Sequence, residues 1–67
     1  MADTRLYTGP QLAEYLGTTA GTLAYWRYMG RGPKFIKLGR SVRYRESDVN
    51  AWLDSQAREQ TGERASA

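Results

Sequence analysis

Residues 12–26, "LAEYLGTTAGTLAYW", contain the end of one apolar helical pattern and, within two or three residues, the start of another. Upstream, Thr8 followed three residues later by Gln11 has the pattern of a capping box, and Gly17 is a typical residue at which a helix stops. The pattern therefore predicts a first helix over residues 9–16.

A second helix is predicted almost immediately after the first. Thr18 or Thr19 can cap it, and Gly30 can end it. Leu23 and Trp26, three residues apart, are expected to face the first helix. Because so short a connection forces the two helices to cross at a steep angle, the sequence predicts a helix-turn-helix arrangement.

The stretch "KFIKLGRSVRYR", residues 34–45, follows the turn signal "GRGP" and predicts a β-hairpin. Two loops are possible. A two-residue loop of Gly39 and Arg40 would mix apolar and basic side chains on each face of the hairpin. A three-residue loop that also includes Ser41 would separate them, because side chains alternate with period two along a strand. We favour the three-residue loop for this reason.

In the favoured register the hairpin has one apolar and one basic face. The apolar face, expected to cover the helices, comprises Ile36, Leu38, Val42 and Tyr44. The basic face comprises Lys37, Arg43 and Arg45, with Arg40 at the tip. Lys37 would lie directly opposite Arg43, and since opposed like charges destabilise a hairpin, this arrangement favours an anionic partner.

A third helix is predicted from "ESDVNAWLDSQARE", residues 46–59. Ser47 is a plausible cap, with Asp48 beginning the helix where its dipole favours negative charge. The expected domain spans residues 8–59, with a flexible N-terminus over 1–7 and a disordered tail over 60–67. The predicted fold class is mainly α with a small β-hairpin, in the order α-α-β-β-α.

Composition excludes several kinds of function. The 67 residues include no cysteine and no histidine, so disulfides, zinc sites of the usual kind and thiol or imidazole nucleophiles are not available. No apolar run is long enough for a membrane span, and a cytoplasmic protein is expected. The carboxylates of Glu46 and Asp48 are explained by the start of a helix, so we expect neither an enzyme nor a bound cofactor or metal.

Charge is distributed unevenly along the chain. Seven basic residues and no acidic residue lie between Glu14 and Glu46, whereas all seven acidic residues lie outside that block. A positive centre between acidic ends suits orientation against a polyanion.

The runs "LAEYLG" and "TLAYWRYMGRGPKFIKLGRSVRYRESDVNAWL" resemble the excisionase and AlpA-type DNA-binding proteins, the small branch of the MerR-like winged-helix superfamily. The resemblance spans residues 7–53 and is most specific over residues 32–53. It implies a winged helix-turn-helix whose second helix enters the major groove of DNA. The hairpin would be a wing that reaches the adjacent minor groove or the phosphate backbone.

Carried over by position, the resemblance implies three groups of DNA-binding residues. The recognition helix would use Thr19, Ala20, Gly21, Thr22, Ala24, Tyr25, Arg27 and Tyr28. The wing would use Lys37, Arg40, Ser41, Arg43 and Arg45. Phosphates would be contacted by Arg31 and Lys34, and also by Arg27, Lys37 and Arg45. Family members often carry Arg or Lys at the positions held here by Ala20, Gly21 and Ala24, where long side chains could read guanine edges. Because this chain has small residues there, its selectivity is expected from thymine methyl contacts, from the wing and from DNA shape.

The resemblance implies a DNA-bending excisionase that binds tandem sites cooperatively and directs a separate integrase toward excision. No heptad run follows Leu53, which argues against a ligand-sensing activator that dimerises through a coiled coil. The expected partners are double-stranded DNA, further copies of the chain and a site-specific integrase, on the nucleoid of a bacterial or phage-infected cell. A small AlpA-type transcriptional regulator and an adaptor for an acidic protein are the alternatives.

Overall fold

A computed structural model of the chain describes the backbone of residues 5–66 and the side chains of residues 5–58. The elements, in chain order, are β1 (Leu6–Thr8), α1 (Gly9–Leu16), α2 (Ala20–Met29), β2 (Ile36–Leu38), β3 (Ser41–Arg45) and α3 (Glu46–Ser66). Three helices and a small antiparallel sheet confirm the predicted winged helix-turn-helix class. The first strand was not predicted.

Local capping chemistry sets the bounds of α1. Thr8 Oγ1 accepts from the backbone N–H of Gln11 at 3.1 Å, and Gln11 Oε1 accepts from the backbone N–H of Thr8 at 3.0 Å. Gly17 ends the helix in the left-handed conformation, with φ of 74°. The helix therefore spans residues 9–16, as its capping pattern predicted.

The second helix begins after Thr19, whose Oγ1 accepts from the backbone N–H of Thr22 at 3.1 Å. It ends at Gly30, with φ of 73°. Residues 17–19 alone separate the two helices, which confirms the helix-turn-helix arrangement.

The N-terminal segment differs from its prediction as a flexible end. Leu6 and Tyr7 belong to β1, which pairs antiparallel with β3 in a sheet of order β1-β3-β2. Tyr7 lies opposite Tyr44, and its ring stacks on that of Tyr15 with centroids 5.7 Å apart. These contacts with residues distant in sequence hold Leu6 and Tyr7 in place. The composition of residues 1–7 alone does not indicate them. Residues 1–4 lie outside the described part of the chain.

The predicted three-residue hairpin loop is wrong. Leu38 pairs with Ser41, so the loop contains only Gly39 and Arg40. Gly39 has φ of 64°, and no non-glycine residue in the described chain has a positive φ, which is the φ pattern of a type II′ turn. Ile36 lies opposite Arg43, and Lys37 lies opposite Val42. The expected pairing of Lys37 with Arg43 is therefore absent, and the inference of an anionic partner from that pairing falls with it.

The observed register places Phe35, 40% exposed, on the same side of the hairpin as Tyr44. In this register Phe35 lies on the inner side of the hairpin, and its ring approaches that of Tyr44 with centroids 6.4 Å apart. The sequence analysis considered only Ile36 and Leu38 as inner residues. Both instead lie on the outer face, where Leu38 is 51% exposed.

The core lies where the helices meet the central strand β3. Its buried residues are Leu12, Ala13, Leu23, Tyr44 and Val49. Tyr7, Leu16, Trp26, Val42 and Leu53 are partly buried around them. Since α1 and α3 both pack on β3, the sheet joins the helix-turn-helix to the last helix.

The last helix begins at Glu46, directly after β3, rather than at Asp48 behind a Ser47 cap. The backbone N–H of Glu46 donates to the carbonyl of Arg5 at 3.0 Å, so one N–H group of the first helical turn has its partner in the residue before β1. The helical backbone continues to Ser66, beyond the predicted end at Glu59 and into the residues that were expected to form a disordered tail. None of the helices, over the part of the chain described, is long and apolar enough to cross a membrane.

Candidate nucleic-acid interface

One face of α2 is open to solvent along its whole length. Leu23 is buried, and at roughly 100° per residue the opposite face carries positions 21, 24, 25 and 28. Tyr25 is 54% exposed and Tyr28 is 85% exposed. Together with Ala20, these are the predicted recognition residues that the structure leaves available to a partner. The exposed face carries no charged side chain.

Two other predicted recognition residues, Thr19 and Thr22, form the cap of α2. Besides accepting from the Thr22 backbone, the Thr19 hydroxyl donates to the Thr22 hydroxyl at 3.0 Å. These bonds hold the first turn of the helix in place. Thr19 is exposed and Thr22 is half-buried, and the hydroxyl groups of both take part in hydrogen bonds within the helix cap.

Arg27 does not lie on the exposed face, although the resemblance implied that it would contact DNA. Its Nη1 donates to the hydroxyl of Tyr44 at 2.7 Å, and its Cζ lies 5.7 Å from the centre of the Phe35 ring. Arg27 therefore joins α2 to the hairpin. The sequence could have predicted this inward position, because Arg27 follows the buried Leu23 by four residues and so lies on the same face of the helix.

Arg40 lies in the turn at the tip of the wing and Ser41 begins β3, and both are exposed. Lys37 is also exposed and shares a sheet face with Val42. The structure therefore presents Lys37 and Arg43 on opposite faces of the hairpin, and the single basic face predicted for the wing does not form.

Arg43 and Arg45 lie on the outer face of the sheet, and both have contacts within the chain. Arg43 Nη1 donates to the carbonyl of Val42 at 2.9 Å, and Arg45 Nε donates to Asp48 Oδ2 at 3.0 Å. Leu6 lies beside Arg45 in the register. This outer face thus alternates guanidinium and apolar groups.

Arg31 and Lys34 line a cleft of about 370 Å³ between the end of α2, the following loop and β3. Arg27 and Arg45 line the same cleft. Sequence reasoning expected all four of these cations to contact phosphates but did not place them together in space. Only the fold shows that they converge.

The arrangement as a whole is an exposed helix beside a basic hairpin. All seven cations of the central block lie on the second half of α2, on the loop or on the hairpin, whereas the acidic residues among the described side chains lie on α1 and α3. A surface with this charge distribution can hold a polyanion against α2.

Comparison with known proteins agrees with this geometry. The model of a family described as a helix-turn-helix domain matches residues 6–57, from β1 into α3. No curated protein and no solved structure gives a significant match. Because the family match covers more than half of the 67 residues, the chain belongs to the helix-turn-helix domain family, which indicates that it binds DNA.

Proposed function

We propose that this chain is an excisionase-type accessory protein that binds double-stranded DNA at specific sequences, bends it and directs a separate integrase toward excision. The observation that carries the proposal is the exposed face of α2 beside a basic hairpin, within a helix-turn-helix domain. The family includes small DNA-binding proteins of the excisionase and AlpA type. In this proposal the chain cuts no DNA itself.

The exposed face of α2 would enter the major groove. Its small residues, Ala20, Gly21 and Ala24, allow the helix backbone to approach the base edges closely, and the groove is wide enough to admit a helix. Tyr25 and Tyr28 would contribute aromatic contacts and hydroxyl groups at the sides. The absence of arginine on this face shifts selectivity toward apolar contacts with thymine methyl groups and toward DNA shape.

The wing would contact the neighbouring minor groove or its phosphates through Arg40. The hydrogen bond between Arg27 and Tyr44 supports this geometry, because it links the recognition helix to the central strand of the wing. Helix and wing would then meet the duplex at a fixed separation. A duplex that follows both surfaces must bend if that separation differs from the spacing of its grooves.

Several copies would act together on DNA. A single module of this size covers roughly 600 to 1,000 Å² of DNA-facing surface, which seldom provides high selectivity alone. Tandem binding sites occupied cooperatively would supply the missing selectivity. An AlpA-type transcriptional regulator would use the same DNA-binding surface, so the number of copies and the bend separate the two functions better than affinity does.

A gel-shift titration tests the proposal. The chain is titrated against random duplex and against candidate attachment-site duplex at several salt concentrations, and bending is measured with circularly permuted fragments. A ladder of complexes with an increasing bend is expected for the excisionase function. One complex without a bend would favour the AlpA-type regulator. No complex with any duplex at low salt would overturn the DNA-binding function and leave the adaptor for an acidic protein.

A further inference from the structure

We propose that the cleft at the end of α2 is a phosphate site that holds one backbone phosphate of bound DNA. The inference rests on the proposed function and adds an anchoring point separate from the recognition face and the wing tip. The cleft has a volume of about 370 Å³ and is lined by Arg27, Gly30, Arg31, Gly32, Pro33, Lys34, Phe35 and Arg45.

The charge of the cleft points to an anion. Four of its lining residues are cations, and none is acidic. Asp48 lies outside the lining but pairs with Arg45 at 3.0 Å, which compensates one of the four charges. An uncompensated excess of positive charge is therefore gathered around one concave space. A phosphate group carries the charge and the acceptor oxygens that such a site can bind.

The four cations differ in how firmly they are held. Arg27 is fixed by its bond to the Tyr44 hydroxyl and by its position over the Phe35 ring. Arg45 uses Nε for Asp48, which leaves the N–H groups of its two terminal nitrogens as further donors. Arg31 and Lys34 make no side-chain hydrogen bond or ion pair with any other described residue and are exposed. The cleft thus combines Arg27, which is held in place, with Arg31 and Lys34, whose donor groups are available to a ligand.

The loop that carries these donors is held tightly by the fold. Gly32 has φ of 82°, and a Cβ atom added there would lie 3.0 Å from Cε3 of Trp26. Pro33 is buried, and its ring fixes its own φ. Trp26 in turn contacts the ring of Trp52, with centroids 5.4 Å apart. Arg31 and Lys34 therefore extend from a backbone that is already positioned for binding.

The backbone at the end of α2 opposes an anion, so the side chains must bind it. A helix C-terminus carries about half a negative charge. The N–H groups of Gly30 and Arg31 are already used, by the carbonyls of Arg27 at 3.2 Å and Trp26 at 2.7 Å. The excess of cationic side chains outweighs that partial charge. Loss of side-chain charge should therefore abolish the site without disturbing the helix end.

DNA is the favoured source of the phosphate. The cleft begins at the last turn of α2, the helix proposed to lie in the major groove, so a phosphate at the groove edge would be close to it. Each phosphate neutralised by a protein also releases counterions, which gives the site a measurable salt signature.

Single charge-neutralising variants provide the first test. Arg31→Gln and Lys34→Gln are compared with Arg58→Gln, which removes an equal charge from an exposed position on α3. Each cleft variant should weaken duplex binding by about tenfold and lower the slope of log K against log salt by roughly 0.9 per phosphate lost. Arg58→Gln should bind like the unaltered chain. Equal binding and equal slopes for all four proteins would overturn the inference.

Neutral phosphates provide the second test. Single methylphosphonates are placed in turn along a duplex that the chain binds. One position should weaken binding by the unaltered chain more than binding by Lys34→Gln, because that variant has already lost part of the contact. Equal losses for both proteins at every position would show that no backbone phosphate occupies the cleft.

The source of the phosphate is tested by NMR titration with inorganic phosphate, against chloride at the same ionic strength. Saturating shifts at the Gly32 amide, absent in Lys34→Gln, together with no duplex binding, would retain the phosphate site and overturn the proposed function. Duplex binding that is insensitive to the cleft variants would leave the proposed function standing and overturn the site. Neither shifts nor duplex binding would overturn both.

Discussion

Arg27 Nη1 lies 2.7 Å from the hydroxyl oxygen of Tyr44, so α2 and the central strand β3 are joined by one hydrogen bond. Tyr44 is buried, and the Arg27 guanidinium also lies over the Phe35 ring. A bond between a charged donor and a partly buried acceptor stabilises more than a neutral surface bond does. The relative position of helix and wing should therefore depend on it.

Removal of the Tyr44 hydroxyl should destabilise the fold. Tyr44→Phe leaves the ring in the core but deprives Arg27 of its acceptor, and we expect a loss of about 1 to 3 kcal/mol in the free energy of unfolding. Urea denaturation followed by tryptophan fluorescence measures this loss. Tyr25→Phe removes a hydroxyl from an exposed ring and serves as the control. Equal unfolding midpoints for the two variants would contradict the role of the bond.

Two glycine substitutions should change stability in opposite directions. Gly32→Ala places a methyl group 3.0 Å from Trp26 at a positive φ, and should cost about 1 to 3 kcal/mol. Gly21→Ala lies inside α2, where the nearest atom would be 3.8 Å away, and should stabilise by about 0.5 to 1 kcal/mol. Thermal unfolding distinguishes the two. A stabilising Gly32→Ala would show that the loop is not held as described.

A negative charge on the exposed surface of α2 should weaken DNA binding. Ala20→Glu introduces a carboxylate where the helix would approach the groove, while position 20 is exposed and the fold can tolerate it. Affinity for duplex DNA should fall by at least about tenfold from repulsion by the phosphates. Ser55→Glu, an exposed position on α3, is the control. Fluorescence anisotropy with labelled duplex measures both, and similar affinities would place the DNA elsewhere.

Shortening the wing tip should weaken DNA binding without unfolding the chain. Arg40 is exposed in the two-residue turn, so Arg40→Ala removes charge and reach but no packing. The slope of log K against log salt should fall by roughly 0.9 if Arg40 contacts one phosphate. Circular dichroism checks the fold. An unaltered slope and affinity would show that the wing tip does not contact DNA.

The bounds of α1 and α2 were predictable because short-range chemistry determines them. Thr8 with Gln11 caps α1, Thr19 caps α2, and Gly17 and Gly30 end the two helices. Each of these signals lies within a few residues of the boundary that it sets. Their spacing alone was sufficient to predict the helix-turn-helix.

The sheet was less predictable because its pairing depends on contacts that are distant in sequence. Pairing of Tyr7 with Tyr44 brings the N-terminus into the sheet, and no pattern within residues 1–7 indicates it. In the observed hairpin register Phe35 lies near Tyr44 and Arg27, two contacts that are distant in sequence. Sorting residues by hydrophobicity assigned the inner face to Ile36 and Leu38 instead.

In the candidate site, too, features set by nearby residues were predictable and features set by contacts distant in sequence were not. Exposure of Gly21 and Ala24 could be inferred from the buried position of Leu23 and helical periodicity. The inward position of Arg27 and the convergence of Arg31, Lys34 and Arg45 on one cleft depend on how α2 meets β3.

The two-residue turn at Gly39 and Arg40 lies beyond the last paired residues, Leu38 and Ser41. The buried side chain of Tyr44 and the inner position of Phe35 are fixed farther down the hairpin. Residues inserted into the turn would therefore lengthen the reach of the wing without altering the core.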